Sequence, residues 1–155
     1  MMRRFGAPPR RGQIYRDRPG VYALISGRGG LLLTASFVPE FELQLPGGGI
    51  DPGESPLVAL HREVREETGW RIDPIRCLGR YQRFTYMPEY GLWARKICAV
   101  YLARPVLRLG PPGEPHHHPI WMPPELAEGV LESEGDRWFV RSWAGMPGSP
   151  GALPA

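Results

Sequence analysis

Residues 61–70 read HREVREETGW, with Glu63, Glu66 and Glu67 interleaved with Arg62 and Arg65. On a helix the three glutamates share one arc, because residues three and four apart lie on the same face. Like charges at that range destabilise a bare helix, and Arg62, four residues before Glu66, offsets only part of the repulsion. A hard dication such as Mg²⁺ or Mn²⁺ would neutralise them, since it takes carboxylate oxygens together with waters and substrate phosphates. The chemistry suggested is metal-assisted reaction at phosphorus; the other reading of the same residues is a solvated face of mixed charge.

Those side chains need a helix to carry them. Ser55 suits an N-cap, Pro56 the first turn and Gly69 the left-handed stop, which predicts a helix over about 55–68. Leu57, Leu60 and Val64 form the stripe expected to pack on a sheet, with His61 as a packing residue beside it. Just upstream, FELQLPGGGI predicts a strand that Pro46 ends, opening a glycine loop where backbone can approach a ligand with no Cβ in the way. Residues 20–25 and 30–37 predict a hairpin across SGRG. Residues 75–86 and 93–106 predict two long strands around MPEYG. The stretch LGPPGEPHHHP reads as irregular, Ile120–Met122 as a short strand, and 123–133 and 135–145 as two short helices. Strands with helices before and after them predict an α/β fold on a mixed sheet.

Composition narrows the class. At 155 residues with 42% hydrophobic and 23% charged residues, the chain has the make-up of one globular domain. It carries no apolar run of membrane-spanning length and no secretory signal, so the expected location is cytoplasmic. Cys77 and Cys98 are expected as reduced, buried thiols. Lys96 is the only lysine beside many arginines. The net charge of +3 is scattered, which does not favour a nucleic-acid partner. Residues 1–18, with Arg3, Arg4, Arg10 and Arg11, are expected as a flexible basic arm; 19–144 as the domain; 145–155 as a disordered Pro/Gly tail. Of Tyr81, Phe84, Tyr86, Tyr90 and Trp93, most are expected in the core. Consecutive histidines point alternately, so His116, His117 and His118 are expected as structural or solvated loop residues.

The register of the whole segment carries more than the helix alone. Gly48 precedes Glu54 by six positions. Seven residues separate Glu54 from Arg62-Glu63, followed by Val64, Glu66-Glu67, Gly69 and Trp70. This resembles the Nudix box, G-x5-E-x7-R-E-U-x-E-E-x-G-U with U a bulky apolar residue, departing only in having Trp70 where an aliphatic residue is usual. The resemblance implies an α/β/α sandwich with a mixed sheet, and hydrolysis of a nucleoside diphosphate linked to another moiety. It implies Glu63, Glu66 and Glu67 as ligands of Mg²⁺ (or Mn²⁺), with a backbone carbonyl assigned to Gly47. Arg62 would orient the cluster, Glu54 would hold the loop or reach metal through water, and Gly48 and Gly69 would be structural. The general base stays open among Glu63, Glu89 and Glu134. The implied partner is a nucleotide-like small molecule, and a homodimer is compatible. Two alternatives stand beside this: hydrolysis of 5′-end RNA or dinucleoside polyphosphates, and a catalytically idle ligand-sensing module, against which every box glutamate is retained.

Overall fold

The computed structural model describes residues 2–145; apart from Gly145, the tail expected over 145–155 lies outside them. Eight strands form one mixed sheet: β1 (Arg3–Arg4), β2 (Arg16–Gly27), β3 (Gly30–Ser36), β4 (Glu42–Gln44), β5 (Gly47–Gly49), β6 (Trp70–Met87), β7 (Leu92–Arg108) and β8 (His117–Met122). The main order is β1-β6-β7-β2-β3-β4, with β5 on β2 and β8 on β3. The β1–β6 and β2–β7 pairs are parallel and the rest antiparallel. Three helices cover the sheet: α1 (Pro56–Thr68), α2 (Pro124–Val130) and α3 (Glu134–Ala144). Among the described residues no helix is long and apolar enough to cross a membrane.

Two apolar layers sandwich the sheet, because successive side chains of a strand point to opposite faces. Val21, Ala23 and Ile25 pack with Ala59, Leu60 and Val64 of α1. Leu24, Leu33 and Val100 pack with Phe139, Val140 and Trp143 of α3. Each fully buried Leu or Val contributes about 1.5–3 kcal/mol through removal from water. The result is the expected α/β/α arrangement.

β2 and β3 splay apart beyond their hairpin. They pair only over Ile25–Gly27 and Gly30–Leu32, after which β5 takes the vacated edge of β2 at Gly20–Tyr22 and β4 that of β3 at Thr34–Ser36. The glycines read as an open loop are therefore a strand. Only glycine serves there, since a Cβ on Gly47, whose φ is 153°, would lie 2.1 Å from the Val21 carbonyl oxygen.

Other expectations are corrected by tertiary packing. The N-terminal segment is not a free arm: Arg3 and Arg4 pair with Tyr81 and Gln82, Phe5 sets its ring edge-on to Tyr81 at 5.4 Å, and the Arg3 guanidinium lies 4.5 Å over Trp138. Leu57 is 46% exposed, and His61 is exposed too. The buried positions of α1 are Ala59, Leu60, Val64, Glu67 and Thr68, so the packing stripe is rotated to carry a carboxylate inward. Cys98 is buried but Cys77 is exposed. Of the aromatic set only Tyr81 is core; Tyr86 and Tyr90, at the β6–β7 turn, are exposed, and Phe84 and Trp93 are half-buried.

Candidate active site

Helix α1 is set by its ends. Ser55 Oγ accepts the Val58 N–H at 3.2 Å, and Gly69, at φ 76°, caps the helix with its N–H on the Arg65 carbonyl. A left-handed residue lets the chain turn at once into β6, where Trp70 packs on Trp121 at 5.6 Å.

Arg62 is the hub of the box. Its guanidinium grips Glu54 with two bonds, Nε to Oε2 at 2.8 Å and Nη2 to Oε1 at 2.9 Å. Nη1 donates to Glu63 Oε1 at 3.0 Å and Glu66 Oε2 at 3.3 Å, while Nη2 also donates to the Gly49 carbonyl at 3.0 Å and lies 3.6 Å from Asp51. One cation thus faces four carboxylates, and the group remains short of positive charge. Glu54 also accepts the Asp51 N–H at 3.0 Å, so it ties the loop to the helix. The Arg62 bonds, then that amide, hold its carboxyl down at about 2. Glu63 shifts the other way: burial raises its pKa more than Arg62 lowers it.

Glu67 stands apart from Arg62, with its side chain only 6% exposed. Its Oε1 accepts the Gly47 N–H at 2.7 Å, and its Oε2 lies 3.2 Å from His117 Nδ1. Burial pushes its carboxyl up to about 9; the Gly47 N–H opposes the shift, and the charges of Glu63, Glu114 and Glu66 add to it. The His117 ring also lies 3.0 Å through Nε2 from Glu114 Oε2 and 3.0 Å through Nδ1 from the buried Thr34 Oγ1. Ligand atoms of Glu67, Glu114 and His117 lie within 4.8 Å of one another. Carboxylate oxygens and one imidazole nitrogen form a donor set that fits a divalent cation.

The predicted residues therefore fall into two adjoining groups: Arg62 with Glu54, Glu63 and Glu66, and Glu67 with Gly47. Gly47 is engaged through its N–H rather than its carbonyl. At Gly48 a Cβ would meet the Glu63 carboxylate carbon at 2.6 Å, which lets that acid lie directly on the strand. Glu63 and Glu89 line one cleft of about 890 Å³ together with Gly47–Gly49, whereas Glu134 lines a separate pocket of about 390 Å³.

Two members of the group were missed, and His117 corrects the reading of the histidine run. His117 opens β8 and pairs with Ser36, which turns its ring toward Glu67 while His116 and His118 stay exposed. The alternation was legible; which histidine faced inward was not. Glu114 has no local signal. Its backbone N–H bonds to the Glu66 carbonyl at 2.9 Å, a contact across 48 positions of sequence. Asp136 was also missed: wholly buried in α3, it accepts from the Leu45 N–H at 3.3 Å and the Tyr81 hydroxyl at 3.1 Å, and burial raises its pKa to about 6.

The NUDIX domain model matches residues 15–141, a span that takes in the whole of this geometry. The chain belongs to the NUDIX family. The NUDIX hydrolase of Nitrosomonas europaea has the same fold, with TM-score 0.70 at 20% identity over 90% of this chain and 97% of that one. The MutT protein of Methanosarcina mazei superposes with TM-score 0.65 at 26% identity over 83% and 93%. Among relatives by sequence, the RNA pyrophosphohydrolase of Pectobacterium atrosepticum is 43% identical over 61 residues, 39% of this chain and 34% of that protein. That of Halorhodospira halophila is 37% identical over 67 residues, 43% and 37%. The matched region thus spans about a third of the length of those two relatives.

Proposed function

We propose that the protein is a pyrophosphohydrolase, a hydrolase acting on acid anhydrides, which cleaves the diphosphate of a nucleotide joined to a second moiety. The observation that carries this reading is the NUDIX box gathered over a glycine strand, with Glu67 buried on the Gly47 amide and Glu63 facing the cleft. Glu63, Glu66 and Glu67 would hold a divalent cation, Mg²⁺ or Mn²⁺, with Glu114 and His117 beside them. When bound, such an ion screens the phosphate oxygens and lowers the pKa of a bound water.

The residues then have distinct tasks. Arg62 fixes Glu63 and Glu66 by charge-assisted bonds, so neither carboxylate must reorganise during reaction. Glu63 bonds to Arg62 through Oε1, which leaves Oε2 to take a proton from water attacking phosphorus. Burial raises its pKa, which makes it a stronger proton acceptor than a free carboxylate. The new P–O bond forms as the bridging P–O bond breaks, and the leaving phosphate departs as an anion. Glu89 is the second candidate for the base. Glu134 lies in the other pocket and is the weaker one.

Similarity to the named RNA pyrophosphohydrolases supports a second substrate class, 5′-phosphorylated RNA. The deciding experiment is a hydrolysis screen with Mg²⁺ or Mn²⁺ over nucleotide sugars, dinucleoside polyphosphates, nucleoside triphosphates and triphosphorylated RNA, run alongside Glu66→Gln. Turnover of at least one substrate, lost by orders of magnitude in the variant, is expected. A variant as fast as the wild type would refute the assigned roles.

A further inference from the structure

The chain's only lysine sits in an unfavourable place. In the sheet register Lys96 of β7 lies directly opposite Arg83 of β6 and directly beside Arg18 of β2. Paired residues project from the same face, so three cations stand in a row across adjacent strands. At about 4.8 Å per strand the row spans roughly 10 Å. Like charges placed opposite one another destabilise a sheet. Within the described residues none of the three has an ion pair. Arg18 is held by an aromatic face alone, its guanidinium lying 4.4 Å over the exposed ring of Tyr90.

Nearby acids do not neutralise the row. Glu89 and Asp136 act on Lys96 only at a distance, and both Asp136 oxygens already accept bonds from Leu45 and Tyr81. Burial works against the ammonium as well, and its pKa is lowered. The fold thus keeps a partly desolvated ammonium between two like charges, where an apolar residue would cost less.

The position of the row supplies the reason. Arg18 and Lys96 line the cleft that holds Glu63, while Lys96 and Arg83 line the 390 Å³ pocket on the α3 side. Lys96 lines both cavities, so the row reaches from the cleft that holds Glu63 to that pocket. We infer that Arg18, Lys96 and Arg83 form a phosphate-binding row, which holds oxyanions of the substrate beyond those at the acidic cluster and directs the attached moiety into the inner pocket. The ligand chemistry is a chain of phosphate oxyanions, supplied by a small polyphosphate nucleotide or by the 5′ end of RNA. Lys96 is the central positioning residue because it borders both cavities. This inference rests on the hydrolase reading for its use of the word substrate, but the row itself can be tested without turnover.

A single lysine makes the test direct. Protein labelled with ¹³C at lysine Cε gives one side-chain resonance, followed in EDTA during titration with inorganic tripolyphosphate. A saturable shift, absent in Arg83→Met, is expected. A 5′-triphosphorylated trinucleotide that saturates at lower concentration than tripolyphosphate would identify the RNA source; equal affinities would identify the small polyphosphate. A resonance unmoved by either probe overturns the inference.

Kinetics on a substrate from the screen supply the second arm. Loss of one charge-assisted bond in Lys96→Met should raise KM roughly tenfold or more with kcat nearly unchanged. Lys96→Arg should restore most of the loss. Relief of the like-charge contact predicts an equal or higher melting temperature for Lys96→Met. A lowered kcat at constant KM, or a lowered melting temperature, would show a structural role instead. Failure to find any hydrolysed substrate would count against the hydrolase reading and leave the titration to decide the row.

Discussion

Replacing Arg62 by Met keeps much of the side-chain volume and removes the charge that four carboxylates share. Breaking a fully buried ion pair costs about 3–5 kcal/mol, and an exposed pair about 1 kcal/mol or less. The Arg62 side chain is 29% exposed, so we expect a loss of about 2 kcal/mol in EDTA. For a domain of this size that lowers the melting temperature by roughly 4–8 °C. The carboxylates freed of Arg62 still bind a cation, and Mg²⁺ at a hundredfold excess over Kd stabilises a folded protein by about 2.7 kcal/mol. The wild type gains at least the same increment, so the deficit should persist when Mg²⁺ replaces EDTA while both melting temperatures rise. In acid it should vanish: Glu54 has its carboxyl lowered from 4.5 to about 2, so its share of the stability is present above pH 4.5 and lost as pH falls toward 2. Differential scanning fluorimetry of wild type and Arg62→Met, with EDTA or Mg²⁺ across pH, measures all three effects. Equal melting temperatures in EDTA near neutrality would refute the claim that Arg62 holds the acids together.

Three further outcomes are expected. In Gly48→Ala the three atoms nearest the new methyl are all of the Glu63 carboxyl group, a side-chain end that can be displaced, so the circular dichroism spectrum should stay native while kcat falls by about tenfold or more from a misplaced carboxylate. Glu67 has a folded pKa of about 9 against 4.5 unfolded, so the metal-free fold holds an extra proton between those values and loses stability as pH rises through that window. Metal binding must then release the proton, and calorimetry at pH 7 in buffers of different ionisation enthalpy should detect up to one proton per ion; no buffer dependence would contradict a protonated Glu67. His117→Ala should weaken Mn²⁺ binding by about 10–100-fold, the usual cost of losing a ligand's immediate support, as followed by electron paramagnetic resonance of free Mn²⁺.

What was legible in the chain was local. The cap at Ser55, the stop at Gly69 and the spacing of the box are set within a few turns of helix, so they survive in any context. The hairpin at Arg28-Gly29 and the long β6–β7 pair were legible for the same reason, as alternation and turn chemistry act between neighbours. Leu57 shows the limit. Amphipathic spacing allowed a stripe through it, but contact with β2 and β5 selects Leu60, Val64 and Glu67, and no periodicity predicts that a glutamate should face inward.

The sequence alone determined that a short helix presents three carboxylates with one arginine among them, because helical geometry follows from spacing. Only the tertiary structure decided how those acids divide: Arg62 takes Glu54, Glu63 and Glu66, while Glu67 turns to the Gly47 amide and to His117. Glu114 and the row of Arg18, Lys96 and Arg83 likewise exist as groups only through strand register and long-range packing. The physical reason is one of range. Capping and turn preferences act over a few bonds, whereas a charge cluster forms where distant segments are brought within a few ångströms, and burial then sets its protonation.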